Sequence, residues 1–426
     1  MEGWPIARLT MHPLPARSCR RGQSTLTERS TICGMVGRCS APGRNRVTLA
    51  PDPVVAMLSL RRDTTFDAIR GYAALSVVVH HLLITWPDEL RMTLHTLLYY
   101  TPLEALFSGG KAVRLFFVLS GFFLYAIVAR AHDPDWRAFY AGRFIRLYPA
   151  FAVAVLLSAA VHVLVGDTEI AIASAWFNGA AQAPDVSVGN VLGLLLFTGT
   201  ADSTRVDCVT WSLVMEVRFL ALFPLLWIAV QRWDIATCLV VTLAAIAGDQ
   251  LYVAAGETAY HITAETWLGA VGGTLHFLPA FVFGMVVCKR FDTLHDLVLR
   301  LPRWQKIALL VVGLIVARRS QEYVGALGVC ILLVVCLQSE ALRRLARRPI
   351  VERIGRGSYS IYLLHMPVLL LSLYLLQDHL PIEPILVIAF VATLAAAWLL
   401  HRTVVLPVLA LAKAQRRAVG AMCGQT

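Results

Sequence analysis

Apolar stretches of helix length recur along this chain from Ile69 to about Leu411, and this recurrence restricts the fold more than any other feature. A helix needs about 20 mostly apolar residues to cross the roughly 30 Å hydrocarbon core of a membrane. Hydrophobic residues make up 58% of the 426 residues and charged residues only 15%, a composition outside the range of soluble globular domains. The sequence therefore predicts an all-α, polytopic integral membrane helical bundle with about ten transmembrane helices.

Ten segments are candidate spans, and the seventh and eighth are the shortest. They are Ala68–Thr85, Ala112–Ala129, Leu147–Val165, Leu213–Val230, Ile235–Ala255, Leu268–Cys288, Trp304–Ala317, Val324–Gln338, Ser358–Gln377 and Pro384–Leu411. A further apolar stretch, Asn190–Thr198, is too short to span, so it is re-entrant or lies at the interface.

The net charge of +11 reflects membrane topology rather than a nucleic-acid partner, because the charges alternate between loops. Arginine and lysine follow the even-numbered spans, whereas the other loops are mostly acidic. This alternation fits the positive-inside rule for an even number of spans. We expect a multi-pass protein of the inner (plasma) membrane, surrounded by lipids, with both termini in the cytoplasm. Arg318 and Arg319, near Glu322, are exceptions on the acidic side.

The chain divides into a membrane domain and two tails. Residues 1–65 contain ten arginines and several prolines without helical or strand periodicity, and they lack the apolar segment of a secretory signal. We expect a disordered basic cytoplasmic tail there, or a wrongly assigned start upstream of Met57. Residues 66–411 form the predicted membrane-embedded domain, and 412–426 form a basic cytoplasmic C-terminal tail. The nine cysteines show no metal-ligand spacing, so no metal site is predicted.

The first span carries Arg70 and His81 in the segment FDAIRGYAALSVVVHH. Ionisable groups are costly in hydrocarbon and by default mark a functional site. Eleven residues bring a helix nearly back to the same face and separate the two residues by about 16 Å. The neighbouring His80 points to another side. The alternative for His81 is a histidine bonded to a backbone carbonyl purely for packing.

Two further segments combine small or basic residues with apolar ones. Ser120 precedes Gly121 in AVRLFFVLSGFFLYAI, where a glycine permits close approach of a second helix or of a ligand. Arg143 and Arg146 are three residues apart in FYAGRFIRLYPAF and therefore share a helix face. Two forked donors suit a phosphate group, but anchoring to lipid headgroups accounts for them equally well.

A carboxylate and a second histidine occur in later spans. Glu216 lies inside VTWSLVMEVRFLALFPLL, which begins with Trp211 and Ser212. Such a carboxylate needs a partner, which Arg218, a histidine or an incoming hydroxyl can supply. A structural ion pair remains the alternative. His365, in SYSIYLLHMPV, is by sequence alone a core histidine with satisfied hydrogen bonds.

Taken in order, these segments resemble the motifs of the membrane-bound acyltransferase 3 family. The matching segments are FDAIRGYAAL with its downstream histidine pair, LFFVLSGF, RFIRLYP, TWSLVMEVRF and SYSIYLLHMPV. The resemblance extends from Phe66 to about Leu411. It departs at Arg114, where relatives often have a neutral or acidic residue, and at Val217 and Leu220, which replace an acidic residue and a tyrosine.

The resemblance implies an integral membrane O-acyltransferase. Members move acyl groups onto hydroxyls, so we expect transfer of acetyl from cytoplasmic acyl-CoA, as co-substrate, to a carbohydrate or lipid-linked glycan such as a cell-envelope polysaccharide. It implies that His81 is the catalytic base or acyl carrier, and that Arg70 and Glu216 set the position and charge of the site. Arg143 and Arg146 would bind the acyl-CoA. The remaining candidate substrate contacts are Ser120, Trp211, Ser212 and His365.

One alternative from another class stays open. A polytopic transporter of a small anionic or sugar substrate would share ten spans and buried ionisable residues. Such transporters commonly carry inverted repeats and broken helices, which are not evident in this sequence. The acceptor, the acyl group, the membrane side of the acceptor and the choice between direct transfer and an acyl-enzyme are not fixed by the sequence.

Overall fold

The computed structural model describes residues 64–87, 101, 104–129, 134–166, 168–181, 186–198, 205–257 and 263–423. Helices dominate these ranges, which contain no β-strand. The all-α prediction is therefore confirmed. The predicted N-terminal tail up to residue 63, including Met57, lies outside the described residues.

The described ranges form fourteen α-helices and two π-helical turns. The helices are α1 (Thr64–Thr85), α2 (Glu104–Phe107), α3 (Gly109–Val128), α4 (Trp136–Val165), α5 (Val188–Leu195), α6 (Trp211–Ala254), α7 (Trp267–Lys289), α8 (Phe291–Arg300), α9 (Arg303–Ala317), α10 (Glu322–Cys336), α11 (Glu340–Ala346), α12 (Pro349–Leu376), α13 (Ile382–Leu400) and α14 (Leu406–Cys423). The π-helical turns are Phe177–Ala181 and His401–Val405. The stretch predicted as a C-terminal tail from residue 412 is thus helical as far as Cys423.

Within the described ranges, seven helical stretches are long and apolar enough to cross a membrane. They are α1, α3, α4, α6, α7, α12 and the continuous stretch Ile382–Ala414. The pair α10 and α11, bent by 84°, brings the number to eight if it forms one span. Helices α9 and α10 have only 15 residues each, or about 22 Å. The polytopic membrane bundle is confirmed, whereas the count of ten spans is not.

Helix α6 joins two predicted spans through a kink. Its 44 residues would extend about 66 Å, roughly twice the hydrocarbon core. Trp233 interrupts it with non-helical angles, φ −142° and ψ 60°. The next residue, Asp234, accepts from the backbone N–H of Ile235 at 2.8 Å and from Arg290 at 2.8 and 2.9 Å. Asp234 therefore both caps the second half of α6 and ties it to the end of α7, and this carboxylate raises the pKa of Arg290.

Glycines allow the central helices to approach closely. A β-carbon at Gly121 of α3 would overlap the carbonyl oxygen of Phe281 in α7. A β-carbon at Gly71 of α1 would lie 3.0 Å from the Cα atom of Gly355 in α12. The small residue beside Ser120 therefore serves helix packing. The close pairing of α1 with α12 brings their beginnings to the same end of the bundle, which we call the basic end because Arg70, Arg143, Arg146 and Arg356 lie toward it.

Candidate active site

Two histidines from separate motifs meet between α1 and α12. Nδ1 of His81 lies 3.0 Å from Nε2 of His365. His365 is buried, and its Nδ1 lies 2.6 Å from the carbonyl oxygen of Tyr362. The sequence alone favoured a core histidine at position 365. The structure shows that it is buried and hydrogen-bonded, and that His81 is among its partners.

These contacts define which nitrogen of each neutral ring carries the proton. A carbonyl oxygen only accepts, so Nδ1 of His365 donates to Tyr362 and Nε2 of His365 is left as an acceptor. Nδ1 of His81 must then donate to that Nε2. In that neutral tautomer the lone pair of His81 is on Nε2, and His81 also has a hydrogen bond to the backbone of Val77. This arrangement makes His81 able to take a proton from a hydroxyl.

A tryptophan that the sequence analysis did not single out covers His81. The rings of Trp176 and His81 are stacked, with centroids 5.6 Å apart and an interplanar angle of 26°. Ser174 fixes this segment by donating from its backbone N–H to Thr85 at 2.9 Å and from its hydroxyl to Ile84 at 2.7 Å. The sequence could not predict this contact, because Trp176 is far from α1 along the chain and the two meet only through tertiary packing.

Tyr362 connects the histidine pair to the start of α6. Its hydroxyl lies 2.8 Å from the hydroxyl of Ser212 and donates to the carbonyl oxygen of Val209 at 2.8 Å. The Tyr362 ring also contacts the Phe116 ring, with centroids 5.7 Å apart. Ser212, a predicted site residue, is thus linked to His365 through one tyrosine, which was not predicted.

Glu216 is paired with a hydroxyl rather than with the nearby arginine. Its carboxylate accepts from the Ser120 hydroxyl at 2.9 Å, a contact that joins α6 to α3. Arg218 points elsewhere and donates to the carbonyl of Ala270 and the hydroxyl of Thr274, each at 3.3 Å. The partner is the protein's own Ser120, whereas the sequence analysis considered Arg218, a histidine or an incoming hydroxyl.

Six of the nine predicted site residues line one cavity of about 370 Å³ near the basic end. They are Arg70, Ser120, Arg143, Arg146, Ser212 and Glu216. The Arg70 guanidinium lies 4.3 Å from the centroid of the Phe123 ring. Arg143 and Arg146 do share one helix face, and that face borders the cavity. Arg143 is half-buried and Arg146 is exposed.

The other three predicted site residues do not line this cavity. Tyr362 and Ser212 line the cavity, and the pair formed by His81 and His365 lies behind these two residues. Trp211 instead packs its ring against Phe277, with centroids 5.1 Å apart. The candidate site is therefore a charged cavity and a histidine pair, with Tyr362 and Ser212 between them.

Several residues outside the predicted set also line the cavity, among them Arg356, Ser360 and His401. Ser360 is fully buried, and its hydroxyl has no hydrogen-bond partner among the described residues. Arg356 belongs to a stretch that the sequence analysis attributed to topology, and His401 comes near the end of the last predicted span. Their association depends on how α12, α13 and α14 pack, which no local pattern reveals.

A buried carboxyl precedes α6 on the far side of Tyr362. Asp207 is only 1% exposed, and burial raises its pKa to about 8, although a backbone hydrogen bond from Val209 opposes that shift. Tyr362 donates to the carbonyl of the same Val209. In the described part of the chain, no three His, Cys, Asp or Glu side chains are grouped so that they could hold a metal ion.

The fold and the site together place this protein among the polytopic membrane proteins that hold a buried polar site within a helical bundle. A family model described as an acyltransferase domain matches residues 63–402, which is most of the chain. The chain belongs to the acyltransferase 3 family, a family of membrane acyltransferases. The resemblance inferred from the motifs is therefore confirmed.

One curated relative is the Bacillus subtilis (strain 168) protein named "Putative peptidoglycan O-acetyltransferase YrhL". This chain is 24% identical to it over 334 residues, which cover 72% of this chain and 48% of the relative. The chain thus spans about half the length of the curated relative it matches. No solved structure matches the chain.

Proposed function

We propose that this protein is a membrane O-acyltransferase that moves an acyl group, acetyl in the first instance, from acyl-CoA to a hydroxyl of a carbohydrate-containing acceptor. The observation that carries the proposal is the cavity lined by Arg143 and Arg146, whose Tyr362 and Ser212 wall leads to the His81 and His365 pair. Guanidinium groups can bind the phosphates of the donor, and a proton acceptor can activate the acceptor hydroxyl.

The donor enters from the basic end, which the positive-inside rule assigns to the cytoplasm. Guanidinium groups bind phosphates by paired, charge-assisted hydrogen bonds. Arg143 and Arg146 hold the donor phosphates at the mouth of the cavity, because Arg146 is exposed there. The narrow thioester arm extends inward past Arg70 and Glu216. Arg146, Asp67 and Glu216 are the charged groups that act on Arg70 electrostatically.

The chemical step uses the lone pair on Nε2 of His81. This nitrogen takes the proton of the acceptor hydroxyl while the hydroxyl oxygen forms a bond to the acyl carbon. The C–S bond of the thioester breaks, and the proton finally resides on the thiol of CoA. His365 holds the His81 ring in the required tautomer through its 3.0 Å contact. Transfer of the acyl group to His81 first, and then to the hydroxyl, uses the same lone pair.

The acceptor is a cell-envelope glycan that approaches from the opposite end of the bundle. The name of the Bacillus subtilis relative, which refers to peptidoglycan O-acetylation, supports a carbohydrate acceptor. Trp176 presents an aromatic face beside His81 at that end, and aromatic rings give large contact areas at little entropic cost. In this arrangement the protein carries acyl groups from a cytoplasmic donor to an acceptor across the bilayer.

The test is acyl transfer by the purified protein in detergent, with radiolabelled acetyl-CoA and an N-acetylhexosamine oligosaccharide as probes. We expect release of the CoA thiol together with a product heavier by one acetyl group. His81→Ala should abolish both and still insert into the membrane, whereas His80→Ala should cost much less. Uptake of the oligosaccharide into proteoliposomes without thiol release would indicate a transporter and overturn the proposal.

The donor site has its own test. The double variant Arg143→Ala/Arg146→Ala should raise the KM for acetyl-CoA far more than that for the acceptor, because each charge-assisted bond is worth about 1.5–3 kcal/mol. Arg137→Ala is the matched control, since Arg137 is exposed on the same helix and does not line the cavity. An unchanged donor KM in the inserted double variant would make these arginines topology anchors.

A further inference from the structure

A second basic group lines the cavity from α12, which packs against α4 where the Tyr359 hydroxyl donates to the carbonyl of Leu147 at 2.9 Å. Arg356, in the second turn of α12, lines the cavity, and its side chain is 63% exposed. Its guanidinium donates a hydrogen bond to Glu352, four residues earlier. Asp67 interacts electrostatically with both Arg146 of α4 and Arg356 of α12.

A π-helical turn forms another part of the cavity lining. The turn His401–Val405 interrupts the otherwise continuous run from α13 into α14, and π-turns inside helices are frequent at functional sites. His401 and Val405 line the cavity, followed by Leu406 and Leu409 from the first turn of α14. The turn therefore contributes the His401 imidazole to the cavity, and the residues that follow it contribute an apolar part of the lining.

The charged groups that line the cavity carry a net positive formal charge. Arg70, Arg143, Arg146 and Arg356 give a formal charge of +4, and Asp67 and Glu216 give −2, so the lining carries +2. The carboxylates of Asp67 and Glu216 both interact electrostatically with Arg70. The basic groups of the lining thus come from α1, α4 and α12. Such a lining suits a ligand that carries more than one anionic group.

We propose that Arg356, with His401 of the π-helical turn, forms a second phosphate subsite in the same cavity as Arg143 and Arg146. This inference rests on the proposed acyl-CoA donor, whose nucleotide carries a diphosphate next to the thioester arm and a 3′-phosphate farther away. Arg143 and Arg146 hold the diphosphate. Arg356, with its highly exposed side chain, holds the 3′-phosphate and makes the enzyme discriminate between acyl-CoA and its 3′-dephosphorylated form.

Three donors separate the two subsites: acetyl-CoA, acetyl-dephospho-CoA, which lacks only the 3′-phosphate, and acetyl-pantetheine, which lacks the nucleotide. The parent protein should show an increasing KM in that order. Arg356→Gln should raise the KM for acetyl-CoA about tenfold, a typical effect of one lost charge-assisted bond, and should leave the KM for acetyl-dephospho-CoA unchanged. The double variant Arg143→Ala/Arg146→Ala should raise the KM for both nucleotide donors.

Arg353→Ala is the matched control, because Arg353 is exposed one turn earlier on α12 and does not line the cavity. It should keep the parent's preference for acetyl-CoA over acetyl-dephospho-CoA. Inhibition by adenosine 3′,5′-bisphosphate compared with 5′-AMP gives an independent measurement. Arg356→Gln should weaken inhibition by the bisphosphate alone, and Arg356→Lys should restore part of it.

Failure of this inference is distinguishable from failure of the proposed function. If Arg356→Gln keeps the parent's preference for acetyl-CoA over acetyl-dephospho-CoA while the α4 double variant loses donor affinity, the second subsite is wrong and the donor proposal stands. If the parent uses acetyl-CoA and acetyl-pantetheine with equal KM, or uses neither, the donor proposal itself falls.

Discussion

Arg114 of α3 and Glu322 of α10 form an ion pair that is buried inside the helical bundle. The guanidinium NH2 lies 2.8 Å from the carboxylate, both residues are 5% exposed, and NH1 also donates to the carbonyl of Ala317 at 2.9 Å. The same region contains Arg318, which lies 3.8 Å from Glu104. Arginine at position 114 departs from the family pattern, and the structure explains it by this acidic partner.

We expect that breaking this pair will destabilise the protein strongly. Glu322→Leu leaves a buried guanidinium without its carboxylate, and loss of one partner of a buried pair typically costs about 3–5 kcal/mol. The double variant Arg114→Leu/Glu322→Leu removes both charges and should recover most of that loss. Thermal unfolding in detergent measures both effects.

The control is Glu340→Gln, which breaks the exposed Arg343 and Glu340 pair of α11. Exposed pairs contribute about 0–1 kcal/mol, so this variant should behave like the parent. Equal losses for Glu322→Leu and Glu340→Gln would contradict the structural role of the buried pair.

The helices could be predicted from the sequence because each span is defined by its own apolar residues. Segment Ala112–Ala129 corresponds to α3, and Leu268–Cys288 corresponds to α7, within three residues at either end. The connections were harder to predict. The kink at Trp233 replaces a loop because Asp234 caps the second half of α6 and binds Arg290, and these are tertiary interactions.

The sequence could predict which site residues lie together only where both residues belong to one helix, because their spacing then determines the helix face that they share. Arg143 and Arg146 share a face by geometry, and both border the cavity. The contacts of His81 with His365 and Trp176 join segments far apart in the chain. No periodicity within one segment encodes such pairings, because packing between helices and loops determines them.

A second prediction concerns the tautomer of His81. His365→Phe keeps a ring of similar size but removes the imidazole that accepts from Nδ1 of His81, so the tautomer that presents the Nε2 lone pair loses this support. We expect kcat to fall by about 10²-fold or more, within the range of general-base catalysis. The KM for acetyl-CoA should stay near the parent value, because His365 does not line the cavity.

His80→Ala serves for comparison, since it removes the neighbouring imidazole and leaves the His81 to His365 contact intact. Its kcat should be reduced much less than that of His365→Phe. A parent-like kcat for a correctly inserted His365→Phe would show that the tautomer of His81 does not depend on His365.

A third prediction follows from the burial of Asp207. Its pKa is about 8 in the folded protein and 3.8 in the unfolded reference. Between pH 3.8 and about 8 the Asp207 carboxyl is therefore protonated in the folded state but ionised in the unfolded state. The free energy of unfolding consequently falls as the pH rises from about 4 to about 8. Asp207→Asn stays neutral and should remove this part of the pH dependence.

We expect the Tm of Asp207→Asn in detergent to match the parent near pH 4 and to exceed it by several degrees at pH 8, since about 1 kcal/mol shifts Tm by roughly 2–4 °C in larger domains. Asp292→Asn changes an exposed carboxyl at the start of α8 and should leave the parent profile unaltered. Parallel pH profiles for the parent and Asp207→Asn would contradict a raised pKa at this carboxyl.

The fourth prediction concerns the contact between Ser120 and Glu216. This hydrogen bond fixes the carboxylate that borders the cavity beside Arg70. Hydrogen bonds to charged groups contribute about 1.5–3 kcal/mol, so Ser120→Ala should lower kcat/KM about tenfold or more. Glu216→Gln should lower it further, because it also removes a charge from the site.

The double variant Ser120→Ala/Glu216→Gln then decides whether the two residues act together. If the serine acts through the glutamate, the double variant should be no worse than Glu216→Gln alone, as expected for residues in one hydrogen-bonded unit. Ser372→Ala is the control for loss of a hydroxyl, because Ser372 donates only to the carbonyl of Val368 in its own helix. Strictly additive losses in the double variant would show that Ser120 acts independently of Glu216.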